Sequence, residues 1–350
     1  MAIVNTHYGF CAKGGAAVKF TYTGEYNVRD DGVVELLTSG TLVFLEPKVI
    51  DVFMVGGGAG GGSGRYNNNR GLGGGGGGYT RTCRKITVQP NNSYAVTIGA
   101  GGNATHSGSS ATDGGSTAFN EFIVQGGKGL SYVTSSAIKS GNGGSGGSGG
   151  GGGVYSNSGY GTGGSDGNTG ETGYPTDTAG GIGQRFTTRE FGEPSGKLYA
   201  GGGGGGRYMS AQSPIISMGG AGGGGTGGFA NSGEAITKAP SAGVANTGGG
   251  GGGGATNAAG GVQGAPGGSG IVCFREAQEL PELAGTWVLN KMLYAPENAI
   301  SQYADFTAAY GSSTINCTRA QIKTTEIVIT SDAGRSITIY TFASNAWTSG

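Results

Sequence analysis

Glycine fills 84 of 350 positions, and it comes in blocks. The blocks are Gly73 to Gly78, Gly149 to Gly153, Gly201 to Gly206 and Gly248 to Gly254. An ordinary core cannot be built from side chains that are not there. Each glycine also costs roughly 0.5–1 kcal/mol more chain entropy than alanine in a helix or strand. The middle of this chain is therefore either disordered or held by its own backbone.

Three observations favour the backbone. Strand-like pieces interrupt the glycine: 84–88, 94–98 and 118–124, the last read as one strand. A flexible Gly/Ser linker does not carry such pieces. The zone also ends on Ile271-Val272-Cys273-Phe274, a strand able to pair beside Val52–Val55 and clamp the two ends together. Finally, glycine recurs with period three: Gly161, Gly164, Gly167, Gly170, Gly173; Gly219, Gly222, Gly225, Gly228; Gly261, Gly264, Gly267, Gly270; Gly58, Gly61, Gly64. Three residues per turn is the polyproline-II period, which leaves every N–H and C=O pointing outward to find a partner. Neighbouring spirals supply those partners where no Cβ holds the backbones apart. A spiral enclosed on all sides needs glycine throughout, and one at the edge needs it only on its inward face. A six-residue run spans roughly 19 Å at that rise. Disorder is the competing reading. A collagen triple helix ranks third, because the register breaks and X/Y prolines are scarce.

The fold class expected is mainly β with irregular structure, in three parts. A small N-terminal β-domain covers 1–55, from short β-branched and aromatic runs between turn residues. A bundle of polyglycine-II helices covers 56–275. A β-rich module covers 276–350, with strands expected near 287–289, 303–306, 326–330 and 336–342.

Composition and motifs exclude several functions. Charge is sparse at 12% and sums to zero, which lacks the basic excess of a nucleic-acid footprint. The apolar runs are strand-sized, so no membrane insertion is expected, and the start lacks a basic-then-apolar leader. Cys11, Cys83, Cys273 and Cys317 form no CxxC pair and have only His7 and His106 beside them, so no zinc site and no disulfide framework is read. Gly56-x-Gly58-x-x-Gly61 follows a strand but leads into no helix, as a dinucleotide site requires. Gly196-Lys197 lacks the Walker spacing. Gly163-Gly164-Ser165-Asp166-Gly167 is a single copy of a pattern that binds calcium by stacking. Glu190 and Glu193 read as surface charges flanking Phe191 rather than an acid–base pair. No catalysis and no cofactor is expected.

The segments between glycine runs are the candidate binding elements, because rigid spirals hold their connections in place. Arg65, Tyr66, Asn67, Asn68, Asn69 and Arg70 form one group. Tyr155, Tyr160, Tyr174, Arg207, Tyr208 and Met209 complete the set. Tyrosine offers rigid amphipathic area and asparagine adaptable hydrogen bonding. For any single tyrosine, covering the flank of the bundle is the commoner role.

The stretches 49–58, 74–80, 94–102, 187–193, 198–204 and 267–272 together resemble the glycine-rich domain of bacteriophage and prophage tail proteins. Residues 283–290 resemble a small β-module that ends such proteins. The resemblance implies a tail-fibre or tail-tip component located in the virion. Its implied partners are other tail or virion proteins and a host-surface carbohydrate or protein; homo-oligomerisation is compatible with that role. Two alternatives stay open: a purely architectural decoration or baseplate protein, and a glycine-rich cell-surface binding module like that of anaplastic-lymphoma-type receptor kinases.

Overall fold

The computed structural model describes residues 18–63, 70–104, 110–130, 142–153, 168–170, 188–193, 195–209, 217–231, 238–257 and 260–277, together with six strands beyond 278. The chain divides into two compact units, 1–277 and 278–350.

The first unit begins as a sandwich of two five-stranded sheets. One sheet runs β1 (Phe20–Tyr22), β4 (Gly40–Phe44), β8 (Ser93–Thr97), β9 (Thr117–Phe119), β10 (Phe122–Val124). The other runs β2 (Tyr26–Val28), β3 (Val34–Leu36), β15 (Ile271–Glu276), β5 (Lys48–Val55), β7 (Thr80–Val88). All ladders of the sandwich are antiparallel. Ile271 pairs with Val55 and Phe274 with Val52, so the clamp expected between the two ends of the glycine zone forms. Alternation on the strands sorts the side chains. Val34, Leu36, Ile50, Val52, Met54, Val272 and Phe274 face the core between the sheets, meeting Phe20, Leu42, Phe44 and Phe119. Val33, Phe53, Val55, Ile271 and Cys273 face the opposite way into a second cluster with Phe191 and Tyr199. The apolar run at 52–55 is continuous because β5 is buried on both faces.

Two expectations need correction. Residues 1–55 do not form a domain of their own: β1 to β5 share their sheets with β7 to β10 and β15 from the glycine zone. Strands as short as these leave too little core to stand alone, so the pairing spans the whole unit. The segment 118–124 is a hairpin, not one strand, because Asn120 (φ 50°) turns the chain between β9 and β10.

At one end of the sandwich the strands run on into glycine, and there the backbone follows the period of three. In the 56–62 run, residues 56, 59 and 62 donate to 79, 76 and 73; residues 57 and 60 to 115 and 112; residues 58 and 61 to 268 and 265, all at 2.9–3.1 Å. Every third amide meets the same neighbour, so the bonding direction turns by a third of a circle per residue. The 73–78 run repeats the scheme: 74 and 77 donate to 151 and 148, 75 and 78 to 251 and 248, and 76 to 128. In the 248–254 run, 250 and 253 donate to 201 and 204, and 251 and 254 to 59 and 62.

These three runs bond to one another and form the inner triangle of a hexagonal lattice. Nine further stretches close a ring around them: 99–103, 111–116, 125–130, 142–147, 148–153, 200–206, 222–228, 241–244 and 263–270, each hydrogen-bonded to the next and the last to the first. The inner runs are glycine throughout except for the fully buried Ala59. In the ring, glycine is required only inward. Cβ atoms on Gly264, Gly267 and Gly270 would lie 2.3, 2.1 and 2.1 Å from the oxygens of Gly61, Gly58 and Val55, whereas Pro266 between them is exposed. The Gly161 triplets lie outside the described residues apart from 168–170, where Gly149 donates to the Asn168 oxygen at 3.0 Å.

The second unit has a four-stranded sheet ordered β16 (Trp287–Asn290), β19 (Glu326–Thr330), β20 (Ile337–Ala343), β21 (Ala346–Ser349), in which β16 and β19 run parallel. A separate pair joins β17 (Ala304–Tyr310) and β18 (Ser313–Thr318). Among the described residues no helix is long and apolar enough to cross a membrane.

Candidate functional site: the far end of the glycine lattice

The direction of each run fixes where its connections emerge. Runs 56–62, 99–103 and 125–130 leave the sandwich from β5, β8 and β10; runs 73–78, 111–116 and 263–270 return to it as β7, β9 and β15. At the sandwich end the remaining turns are tight. At 221–223 the chain reverses through Gly222 (φ 92°) and Gly223 (φ 98°), a conformation that only glycine adopts without strain. The described residues that flank 64–69, 105–109, 131–141, 210–216, 232–237 and 258–259 all lie at the ends of runs away from the sandwich, as does Gly153.

Short strands cap this far end. β6 (Arg70–Gly71) and β14 (Gly260–Val262) flank β13 (Ala255–Asn257), and β11 (Arg207–Met209) runs parallel to β12 (Phe229–Asn231). Asn231, Thr256 and Asn257 are buried polar residues here, and Asn257 Nδ2 donates to the Asn231 oxygen at 2.6 Å. Arg207 and Tyr208 are half-buried. By contrast, residues 19, 45, 49 and 277 meet at the opposite, sandwich end, where Leu45 donates to Lys19 and Ala277 to Val49. The described part of the first unit therefore both begins, at 18, and ends, at 277, at its base.

A second feature sits on the flank. A cleft of about 350 Å³ is lined by Arg29, Asp31, Glu35, Glu190, Lys197 and Arg275, among others. It marks where residues 188–200 strap across the outer face of the β2–β3–β15–β5–β7 sheet. Arg29 grips Glu190 with two hydrogen bonds, 2.8 and 2.7 Å, and also reaches Asp31 at 2.6 Å. The Tyr199 hydroxyl donates to Glu190 at 3.1 Å. Arg275 pairs with Glu193 and stacks over the Phe191 ring at 4.1 Å. Arg84 bridges from Asp51 (3.2 Å) to the Phe191 carbonyl. Hydrogen bonding from Arg29 holds the Asp31 carboxyl below the usual carboxylate range. Burial opposes ionisation of Glu35, but the Asn27 amide, Lys197 and Arg29 together depress its pKa. Burial pushes the Tyr199 phenol and the Cys273 thiol upward, so Cys273 stays a protonated core residue. This corrects the reading of Glu190 as a surface charge: it is 4% exposed. Every carboxylate lining the cleft is paired with a cation, an arrangement that fastens the strap. Among the described residues no group of His, Cys, Asp and Glu is placed to hold a metal.

The sequence profile of one known family, a glycine-rich domain, matches residues 38–277. The chain belongs to this glycine-rich domain family. A search of curated proteins finds no match. The match runs from just before β4 to just after β15, so the glycine-rich domain takes in lattice, strap and most of the sandwich. Of the binding candidates read from its sequence, Arg70, Arg207, Tyr208 and Met209 are described, and the far end brings them together on β6 and β11, which are neighbours. They sit on short strands rather than in loops, because the chain extends and pairs as each run ends. Arg65, Tyr66, Asn67, Asn68, Asn69, Tyr155, Tyr160 and Tyr174 lie outside the described residues. The ionic strap was missed by sequence reasoning. Its signal was the charge spacing around Phe191 and Arg275, uninterpretable without knowing that β15 and 188–200 meet.

Proposed function

We propose that this glycine-rich domain protein is a non-enzymatic structural and adhesive component of a bacteriophage or phage-like tail, presenting the connections at its far end to a host-surface receptor. The observation that carries the reading is the polarity of the lattice. The run ends that flank residues 64–69, 105–109, 131–141, 210–216 and 232–237 lie at one end, while the described part of the unit begins and ends at the other. A backbone lattice is indifferent to the sequences it connects, so it supports varied loops on a fixed frame. The tail setting rests on the sequence resemblance, and the base is then the side facing other tail proteins in the virion.

The test is alanine substitution of Tyr66, Tyr155 and Tyr208 in assembled particles. Reduced adsorption to the host with intact particle yield is expected. Unchanged adsorption rejects the adhesive role and leaves an architectural one.

A further inference from the structure

The two sheets of the sandwich differ in what lies on their outer faces. The strap 188–200 crosses one of them, tied down at Glu35, Asp51 and Arg275. The other sheet, of β1, β4, β8, β9 and β10, turns its second row of side chains to solvent. Ile123 pairs with Ala118, Ala118 with Thr97, and Val43 with Thr21. Ala95 stands on the same side as Thr97, two residues before it. These side chains alternate with core residues such as Phe44, Val96 and Phe119. Ala95, Thr97 and Ile123 are exposed, Ile123 by 58%. No outward position on the five strands carries a charge. Charge appears only at the base margin, where Lys19 pairs with Glu46 and Glu121 sits in the β9–β10 turn. Solvent-facing surfaces are ordinarily about 25–35% charged, and depletion of charge marks the centres of interfaces.

The face continues onto the lattice, because runs 99–103, 111–116 and 125–130 prolong β8, β9 and β10. There it gains one ion pair, Lys128 to Asp113 at 2.8 Å. Its two charges cancel, so two copies of the face meet without net repulsion. Five strands about 4.8 Å apart, each about six residues long, give roughly 20 by 20 Å. The three runs add roughly 15 by 15 Å. The face is thus about 600 Å² per copy, or about 1,200 Å² for a facing pair, at the lower limit of specific interfaces. An uncharged surface has no ionic feature with which to select an unlike partner, whereas an identical face matches it in side-chain size and lack of charge. We infer that a second copy of the chain docks here, sheet against sheet about 10 Å apart, as a weak isologous dimer. The inference is independent of the adhesin reading.

Sedimentation equilibrium of the full chain between about 1 and about 300 µM tests it, a range that brackets weak specific association. A monomer–dimer equilibrium is expected. Ile123→Glu and, separately, Thr97→Glu place like charges on both copies of the face and should raise the dissociation constant of the dimer at least about tenfold. Both positions are exposed, and thermal melting verifies that each variant keeps its fold. Met218→Glu, at a position 60% exposed beside the 200–206 run on the opposite side of the ring, should leave association unchanged. A chain that stays monomeric throughout overturns the inference, as does a dimer that both face variants leave intact. A monomer whose melting falls sharply with Ile123→Glu also overturns it, in favour of a segment of the same chain lying on the face.

Discussion

Gly203→Ala isolates the force that holds the lattice. A methyl on Gly203 would lie 2.0 Å from the Gly251 oxygen and 2.7 Å from its carbon. Those atoms belong to the inner 248–254 run and are backbone, so no side chain can swing aside. Restoring an ordinary contact requires the two runs to part by roughly 1 Å. That displacement breaks the bonds from Gly250 to Gly201 and from Gly253 to Gly204, each 2.9 Å. Each lost bond forfeits about 0.5–1.5 kcal/mol, and each buried group left unpaired costs about 1–3 kcal/mol more. With one buried group left unpaired per bond the sum is about 3–9 kcal/mol, a large part of a typical domain stability of roughly 5–15 kcal/mol. Melting should fall by about 10 °C or more, given about 2–4 °C per kcal/mol for a unit of this size. Gly251→Ala, whose methyl would lie 2.0 Å from the Ala265 oxygen, should match it. Val244→Ala, on an exposed ring residue, should change stability by less than about 0.5 kcal/mol, and Ser145→Val, half-buried in the ring, by about 1 kcal/mol. If both glycine variants melt within about 2 °C of the parent, close backbone approach is not what holds the lattice.

Glu190→Gln leaves Arg29 without its bidentate partner; since the Arg29 side chain is 23% exposed, the loss should be about 2–3 kcal/mol, read by denaturant unfolding. Asp31 and Glu35 have depressed pKa values, so their stabilisation is present above the ordinary carboxylate range and is lost as pH falls through the lowered values. Melting should therefore be insensitive to these groups above about pH 5 and decline below about pH 4, and Asp31→Asn with Glu35→Gln should flatten that decline. Burial raises the pKa of both Cys83 and Cys273, so iodoacetamide at mildly alkaline pH should leave both unmodified in the native protein, as peptide mass mapping will tell; prompt modification of Cys273 would mean that the strap does not cover it.

Much of this architecture was legible because glycine makes geometry explicit. The period of three at Gly264, Gly267 and Gly270 marks inward positions in the structure, and Gly248 to Gly254 are glycine throughout because that run is enclosed. The clamp of Ile271–Phe274 on Val52–Val55 follows from two apolar strands at the ends of the zone. What escaped was non-local. Composition suggested a boundary at residue 55, but β5 and β7 pair across it along most of their length. The Arg29–Glu190 pair joins residues 161 positions apart, and no periodicity encodes such a meeting. Likewise, the run ends that flank residues 64–69, 105–109, 131–141, 210–216 and 232–237 gather at one end only because the order of run directions makes them do so, a property of the topology rather than of any segment.

The strap and the lattice are mechanically connected. Six lattice runs continue directly into sandwich strands: 56–62, 73–78, 99–103, 111–116, 125–130 and 263–270. Their ends are fixed by a side-chain core. The others, from 142 to 254, have no strand of the sandwich at their base. Their covalent anchor there is the turn from the strap into the 200–206 run, at Tyr199 and Ala200, both fully buried against Phe53 and its neighbours. The paired charges around Glu190 and Arg275 thus secure the half of the lattice that lacks strands. That half carries β11, β12 and Lys238 at its far end. The buried ion pairs under the strap therefore hold the base of the same runs whose far ends carry the capping strands.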